Sequence, residues 1–215
     1  MPRNYGADAQ FSNTQMVDFR TFSQSQGYGS SIAPSEVNLY SLQAVDPGNA
    51  AFQNDPTVIT FYDTVTTDVI TQVQDPVIRN GNQVPTQVLL GIYGVALEIN
   101  FPRAPAAAND VYDALYTYSE SVFEMSIAGD RQFMAKGSQL LNINGTTPGA
   151  AGAALTAGTG SAGAINFHVW PSTKLVMPGS TLRATLQLDG SNAVTWQTVD
   201  PHDLTLHVLA FEARR

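Results

Sequence analysis

An all-β domain is predicted for this 215-residue chain on three observations. Short runs rich in Val, Ile, Thr and Tyr recur along it. Turn signals such as Asp46-Pro47-Gly48-Asn49 and Asn80-Gly81-Asn82 punctuate them. Helical patterning is confined to one short segment, and a single helix among strands does not make the βαβ series of a doubly wound sheet.

Residues 1–35 read as an N-terminal arm. Positions 4–35 are rich in Ser, Gln, Asn and Gly, with aromatics scattered at Tyr5, Phe11, Phe19, Phe22 and Tyr28. Such a stretch buries too little to offset its ordering entropy, so it is expected to order against a neighbour. Residues 36–215 form the single β domain, a size that one all-β core can reach.

Within that domain the first strand run is EVNLYSLQAV, and the second, TVITFYDTVTTDVITQV, ends near Asp75-Pro76. Val88 to Leu97 is continuously apolar over about ten residues, too short to cross a bilayer as a helix. It reads as a strand buried on both faces. Asn109 is placed to cap a helix through Tyr118. Phe123, Met125 and Ile127 alternate with Val122, Glu124 and Ser126, and Leu182, Ala184, Leu186 and Leu188 oppose Arg183, Thr185, Gln187 and Asp189. The last run sets Leu204, Leu206, Val208 and Ala210 against Thr205, His207, Leu209 and Phe211. A closing strand apolar on both sides is either central or covered by another subunit. Residues 143–165, built largely of Gly, Ala and Thr with Pro148, are an extended surface loop or interface arm.

Charge is scarce. Charged residues make up 13% of the chain, and none lies between Lys136 and Lys174. An ordinary soluble domain carries about 25%. Either much of the surface is covered by something other than water, or Ser, Thr, Asn and Gln do the wetting. The net charge of −8 repels phosphate backbones, so no direct nucleic-acid binding is expected. With no Cys there is no disulfide, thiolate nucleophile or Cys-ligated zinc. The opening residues lack the apolar stretch of a signal peptide, so nothing supports secretory export.

Motif by motif, the chemistry is bland. Gly158-Thr-Gly-Ser-Ala-Gly163 matches the dinucleotide-turn pattern, but Ala/Gly sequence precedes it and a strand-like run follows, the reverse of what that turn needs. His168, His202 and His207 include no metal-seating pair, and His202 and His207 differ in parity, so one strand points them to opposite faces. They read as structural or interface histidines. No G-x-S-x-G elbow is present. Asp63, Asp68 and Asp75 lack the spacing of a Ca²⁺ loop, and Asn144-Gly-Thr146 reads as a turn rather than a glycosylation site. No catalytic, cofactor-binding or metal-binding residue is therefore assigned, no cofactor is expected, and the chain is not read as an enzyme.

The run from Trp170-Pro-Ser-Thr-Lys-Leu-Val-Met-Pro-Gly to Leu188, then His202-Asp-Leu-Thr-Leu-His-Val-Leu-Ala-Phe-Glu-Ala-Arg-Arg215, has its own order: a Pro-Gly turn, an alternating strand, a polar loop with Trp196 and a final strand ending in basic residues. It resembles the close of the jelly-roll capsid proteins of tailless, icosahedral bacterial viruses, over about the last fifty residues. The resemblance implies an eight-stranded jelly-roll sandwich packed against copies of itself in a virion shell, beside other virion proteins. The acidic balance departs from the basic arms of many capsid proteins, so contact with the genome, or with any underlying membrane, falls to another component. A carbohydrate- or receptor-binding β-sandwich of a viral spike is the competing class, and would need exposed aromatics clustered from among Tyr93, Tyr112, Tyr116, Tyr118, Trp170 and Trp196. An enzyme built on a β-sandwich ranks third, for want of converging titratable groups.

Overall fold

The computed structural model describes residues 8–29, 33–46, 58–62, 72–74, 82–100, 108–144, 165, 167–188 and 201–215. Its helices are α1 (Asp8–Ser25) and α2 (Ala108–Glu120). Its strands are β1 (Ser35–Val45), β2 (Val58–Phe61), β3 (Gln72–Gln74), β4 (Val88–Asn100), β5 (Val122–Ile127), β6 (Asp130–Lys136), β7 (Leu141–Asn144), β8 (His168–Val176), β9 (Leu182–Gln187) and β10 (His202–Arg214). A 3₁₀ turn spans Gly137–Gln139. The protein is mostly β, as predicted.

Two sheets carry these strands. One has six strands in the order β3-β1-β10-β4-β7, with β8 also paired to β4; the other has four, in the order β2-β9-β5-β6. Among these pairings only β4 with β7 is parallel. Period-two patterning sends one set of side chains from each sheet into a shared interior, where Leu39, Leu97 and Leu206 of the six-stranded sheet join Ile59, Phe123 and Leu186 of the other. Each such burial is worth about 1.5–3 kcal/mol.

The alternation predicted for β5, β9 and β10 is present. Phe123, Met125 and Ile127 are buried, as are Leu182, Ala184 and Leu186, and Leu204, Leu206, Val208 and Ala210 all face the shared core. β10 is central, between β1 and β4. From Val88 to Ile99 every residue of β4 is buried, in line with the reading of a strand covered on both faces.

The cover on the outer face departs from expectation. The arm reading of residues 1–35 has them ordering on a neighbour, and the sequence predicts only one helix. Instead residues 8–25 form α1, which packs on this chain's own six-stranded sheet, where Phe19 joins Tyr28, Leu89, Tyr93, Leu209, Phe211 and Ala213 in a second apolar cluster. Met16, Phe19 and Phe22 recur every three residues, a stripe too narrow to stand out among Ser, Gln and Asn. The sheet supplies the burial that the helix lacks alone.

Three smaller departures have local causes. Ten strands are described where eight were expected; the short β3 and β7 are the candidates for the surplus. The helix expected over 109–118 runs from Ala108 to Glu120, which puts Asn109 inside rather than at the N-cap. On β4, Tyr93 is an extra residue relative to β10, so the inward set shifts from Leu90 and Ile92 to Val95, Leu97 and Ile99. Of the loop predicted over 143–165, the first two positions, Ile143 and Asn144, close β7, and Ile165 at its far end is described; the rest lies outside the described residues.

Candidate functional site

The histidines, the most versatile titratable groups here, do not converge. His202 opens β10 and faces α2, where the Tyr118 hydroxyl stands 2.6 Å from its Nε2. Both side chains are buried. Burial holds the Tyr118 hydroxyl well above the ordinary phenol value, so it stays protonated and shares a hydrogen bond with Nε2. α2 is fixed at the same place by Gly137, whose N–H donates to the Ser121 carbonyl and whose position admits no Cβ, because one would stand 1.8 Å from the Tyr118 carbonyl oxygen.

His207 points to the opposite face, as its parity requires. Its Nε2 lies 2.7 Å from Glu98 Oε2 and its Nδ1 3.3 Å from Asn38 Nδ2. With the Asn38 amide donating to Nδ1, the Nε2 proton goes to the Glu98 carboxylate. These three residues come from β1, β10 and β4, neighbouring strands of one sheet, so the contact ties the sheet together on its outer side. Nearby, the Tyr93 hydroxyl donates to Glu36, and the Tyr93 ring stacks on Phe211 at 4.5 Å. His168 packs beside Phe133, with ring centroids 5.1 Å apart. All three histidines thus have structural surroundings. Among the described residues no three His, Cys, Asp or Glu side chains gather where a metal ion could be held.

The outer face of the four-stranded sheet is built differently. Its registers align Val58, Gln187, Val122 and Lys136 in one cross-strand row, Thr60, Thr185, Glu124 and Met134 in the next, and Arg183, Ser126 and Arg131 in a third. Val58, Val122 and Met134 are 48%, 38% and 56% exposed, high for large apolar side chains. Among the described residues Arg131 and Lys136 make exposed, long ion pairs with Glu124 (3.8 Å) and Glu120 (3.4 Å). Pairs of that kind contribute about 0–1 kcal/mol. The two outer faces differ among the described residues: α1 packs on that of the six-stranded sheet, and no helix packs on these rows.

Several residues singled out in the sequence fall elsewhere. Gly158 to Gly163, Asp63, Asp68, Asp75, Gly145, Thr146 and Trp196 lie outside the described residues, and nothing is described of the Tyr112 side chain. Of the aromatics considered for a glycan platform, Tyr93, Tyr118 and Trp170 are buried, while Tyr116 is exposed. No helix among the described residues is long and apolar enough to cross a membrane. Sequence reasoning missed the Asn38–His207–Glu98 contact, because its members lie 109 and 169 positions apart in the pairs that matter and carry no local motif. No protein-family model matches the chain, and no curated protein is similar to it in sequence.

Proposed function

We propose that this chain is a self-assembling shell subunit of a virion, a jelly roll that acts through subunit contacts and without catalysis. The observation that carries the reading is the winding of the strands. Leaving aside the short β3 and β7, the rows are β1-β10-β4-β8 and β2-β9-β5-β6, with the first and last long strands side by side and the chain crossing repeatedly between sheets. That order supports reading the sandwich as a jelly roll, a double Greek-key fold used by capsid and lectin domains. Fold alone does not fix function.

Two further observations favour assembly within that fold. A charge fraction of 13% lowers the desolvation cost of large contacts, and an open sheet face with three exposed apolar side chains offers one. The competing reading, a receptor- or carbohydrate-binding sandwich, is less favoured because Tyr93, Tyr118 and Trp170 are buried and hence unavailable as a stacking surface. Partners in the proposal are copies of this chain and other virion proteins, and its place is the virion.

Light scattering across a concentration series, with negative-stain imaging of any large fraction, tests the proposal. Rings, sheets or shells of regular size are the expected result. A chain that remains monomeric at high concentration would overturn the assembly reading, and glycan binding would then be the property to measure.

A further inference from the structure

The open face of the four-stranded sheet is charged against the trend of the molecule. Arg131, Lys136 and Arg183 project from it with Glu124, and Glu120 pairs with Lys136 at its edge, so three positive charges and two negative leave a net of +1. The whole chain is −8, so everything else carries −9. Arg183 is exposed, and among the described residues no carboxylate is paired with it. Val58 and Val122 flank Gln187 in one end row and Met134 stands at the edge of the middle row, so apolar side chains lie among the charges.

We infer that this face docks onto an acidic surface of a second copy of the chain, in a heterologous contact. The inference rests on the assembly reading above and specifies its geometry. Two such faces brought together would oppose +1 with +1 and set Arg183 against Arg183, and like charges across an interface cost affinity. The same face against the acidic remainder of another copy gains complementary charge while covering Val58, Val122 and Met134. A contact between unlike surfaces leaves each copy with one face to give and one to receive, so it propagates into rings or shells instead of closing as a two-fold dimer.

Size sets the strength. Four strands about 4.8 Å apart and about six residues long present a face of about 400 Å². A stable pairwise interface covers about 800 Å² per partner. One such contact is therefore weak, reversible and sensitive to salt, and becomes persistent only when repeated around an assembly.

The test uses the full chain and two double variants, Arg131→Glu/Arg183→Glu and Arg131→Gln/Arg183→Gln. Thermal melts check that both fold, as exposed positions should allow. Scattering then gives the concentration of half-assembly for each, with and without added sodium chloride. The wild type should assemble most readily at low salt, the Gln variant should need a higher concentration, and the Glu variant on the order of tenfold more or should not assemble. A folded Glu variant that assembles like the wild type overturns this inference and leaves the shell reading standing. A wild type that stays monomeric overturns both. A wild type that stops at a closed dimer, or that stays unassembled while binding a polyanion such as heparin, overturns the heterologous contact.

Discussion

Gly91 lies directly beneath Phe19. A Cβ added at Gly91 would stand 2.6 Å from Phe19 Cδ2 and 2.6 Å from Thr173 Cγ2, inside any ordinary contact distance. The missing side chain in the middle of β4 is what lets α1 settle on the sheet, where the Phe19 ring also meets Phe211 with centroids 5.8 Å apart. Gly91→Ala should therefore destabilise the protein by about 1–3 kcal/mol, the usual cost of overpacking. Phe19→Ala removes the ring and opens the space, so the double variant should cost less than the sum of the two single changes. Urea melts of all three measure the coupling. Simple additivity would mean that the ring and the glycine do not depend on each other.

Tyr118 and His202 form a second, independent contact. Tyr118→Phe keeps the ring but removes the hydrogen bond to the buried Nε2 of His202, which should cost about 1–3 kcal/mol. The pH dependence is also determined. Burial raises the folded-state value of the hydroxyl, so the stability linked to it is complete below the unfolded value of about 10 and is lost as pH rises further, when only the unfolded chain ionises readily. The difference in melting temperature between wild type and Tyr118→Phe should therefore narrow above that pH. A difference that stays constant would contradict the assignment.

How far the fold was legible depends on whether burial left a local trace. β9 alternates strictly, with Leu182, Ala184 and Leu186 inward, and could be read directly. β4 could be recognised as buried but its facing could not, because the extra residue Tyr93 reverses the phase midway and no turn residue announces it. α1 was invisible for a tertiary reason: Phe19 is buried by Gly91, Thr173 and Phe211, far away in sequence, while its own neighbours are polar. The candidate contact face behaved the same way. Val58, Val122 and Met134 each sit in an unremarkable strand, and only the registers bring them into adjoining rows.

Asp203 offers a change that should stabilise. It is partly buried as the second residue of β10, and the loss of solvent raises its carboxyl above the ordinary value of 3.8. A raised value means that the unfolded chain ionises first, so the penalty is absent below about pH 3.8 and present at neutral pH. Asp203→Asn should raise stability at neutral pH by less than about 1 kcal/mol, since the group remains largely solvated. The gain should vanish in acid. A gain independent of pH would point to a change in hydrogen bonding rather than in charge.

Removing residues 1–25 separates the two apolar clusters. Among the described residues the apolar interior between the sheets includes none from α1, whereas the outer cluster depends on Phe19. Tyr28 and Gly29 keep their own anchors, from the Tyr28 hydroxyl to the Thr86 carbonyl at 3.4 Å and from the Gly29 N–H to the Arg214 carbonyl at 2.8 Å, so the cut leaves β1 tethered. The truncated chain should retain a cooperative melt while exposing Leu89, Tyr93, Leu209 and Phe211 as one patch, which an apolar dye would report. The proposed regular assembly should give way to irregular association, because a newly bare apolar face competes with the inferred charged contact on the other sheet. Loss of the cooperative melt would show that α1 belongs to the core; regular assembly of the truncated chain would show that α1 has no part in the proposed assembly.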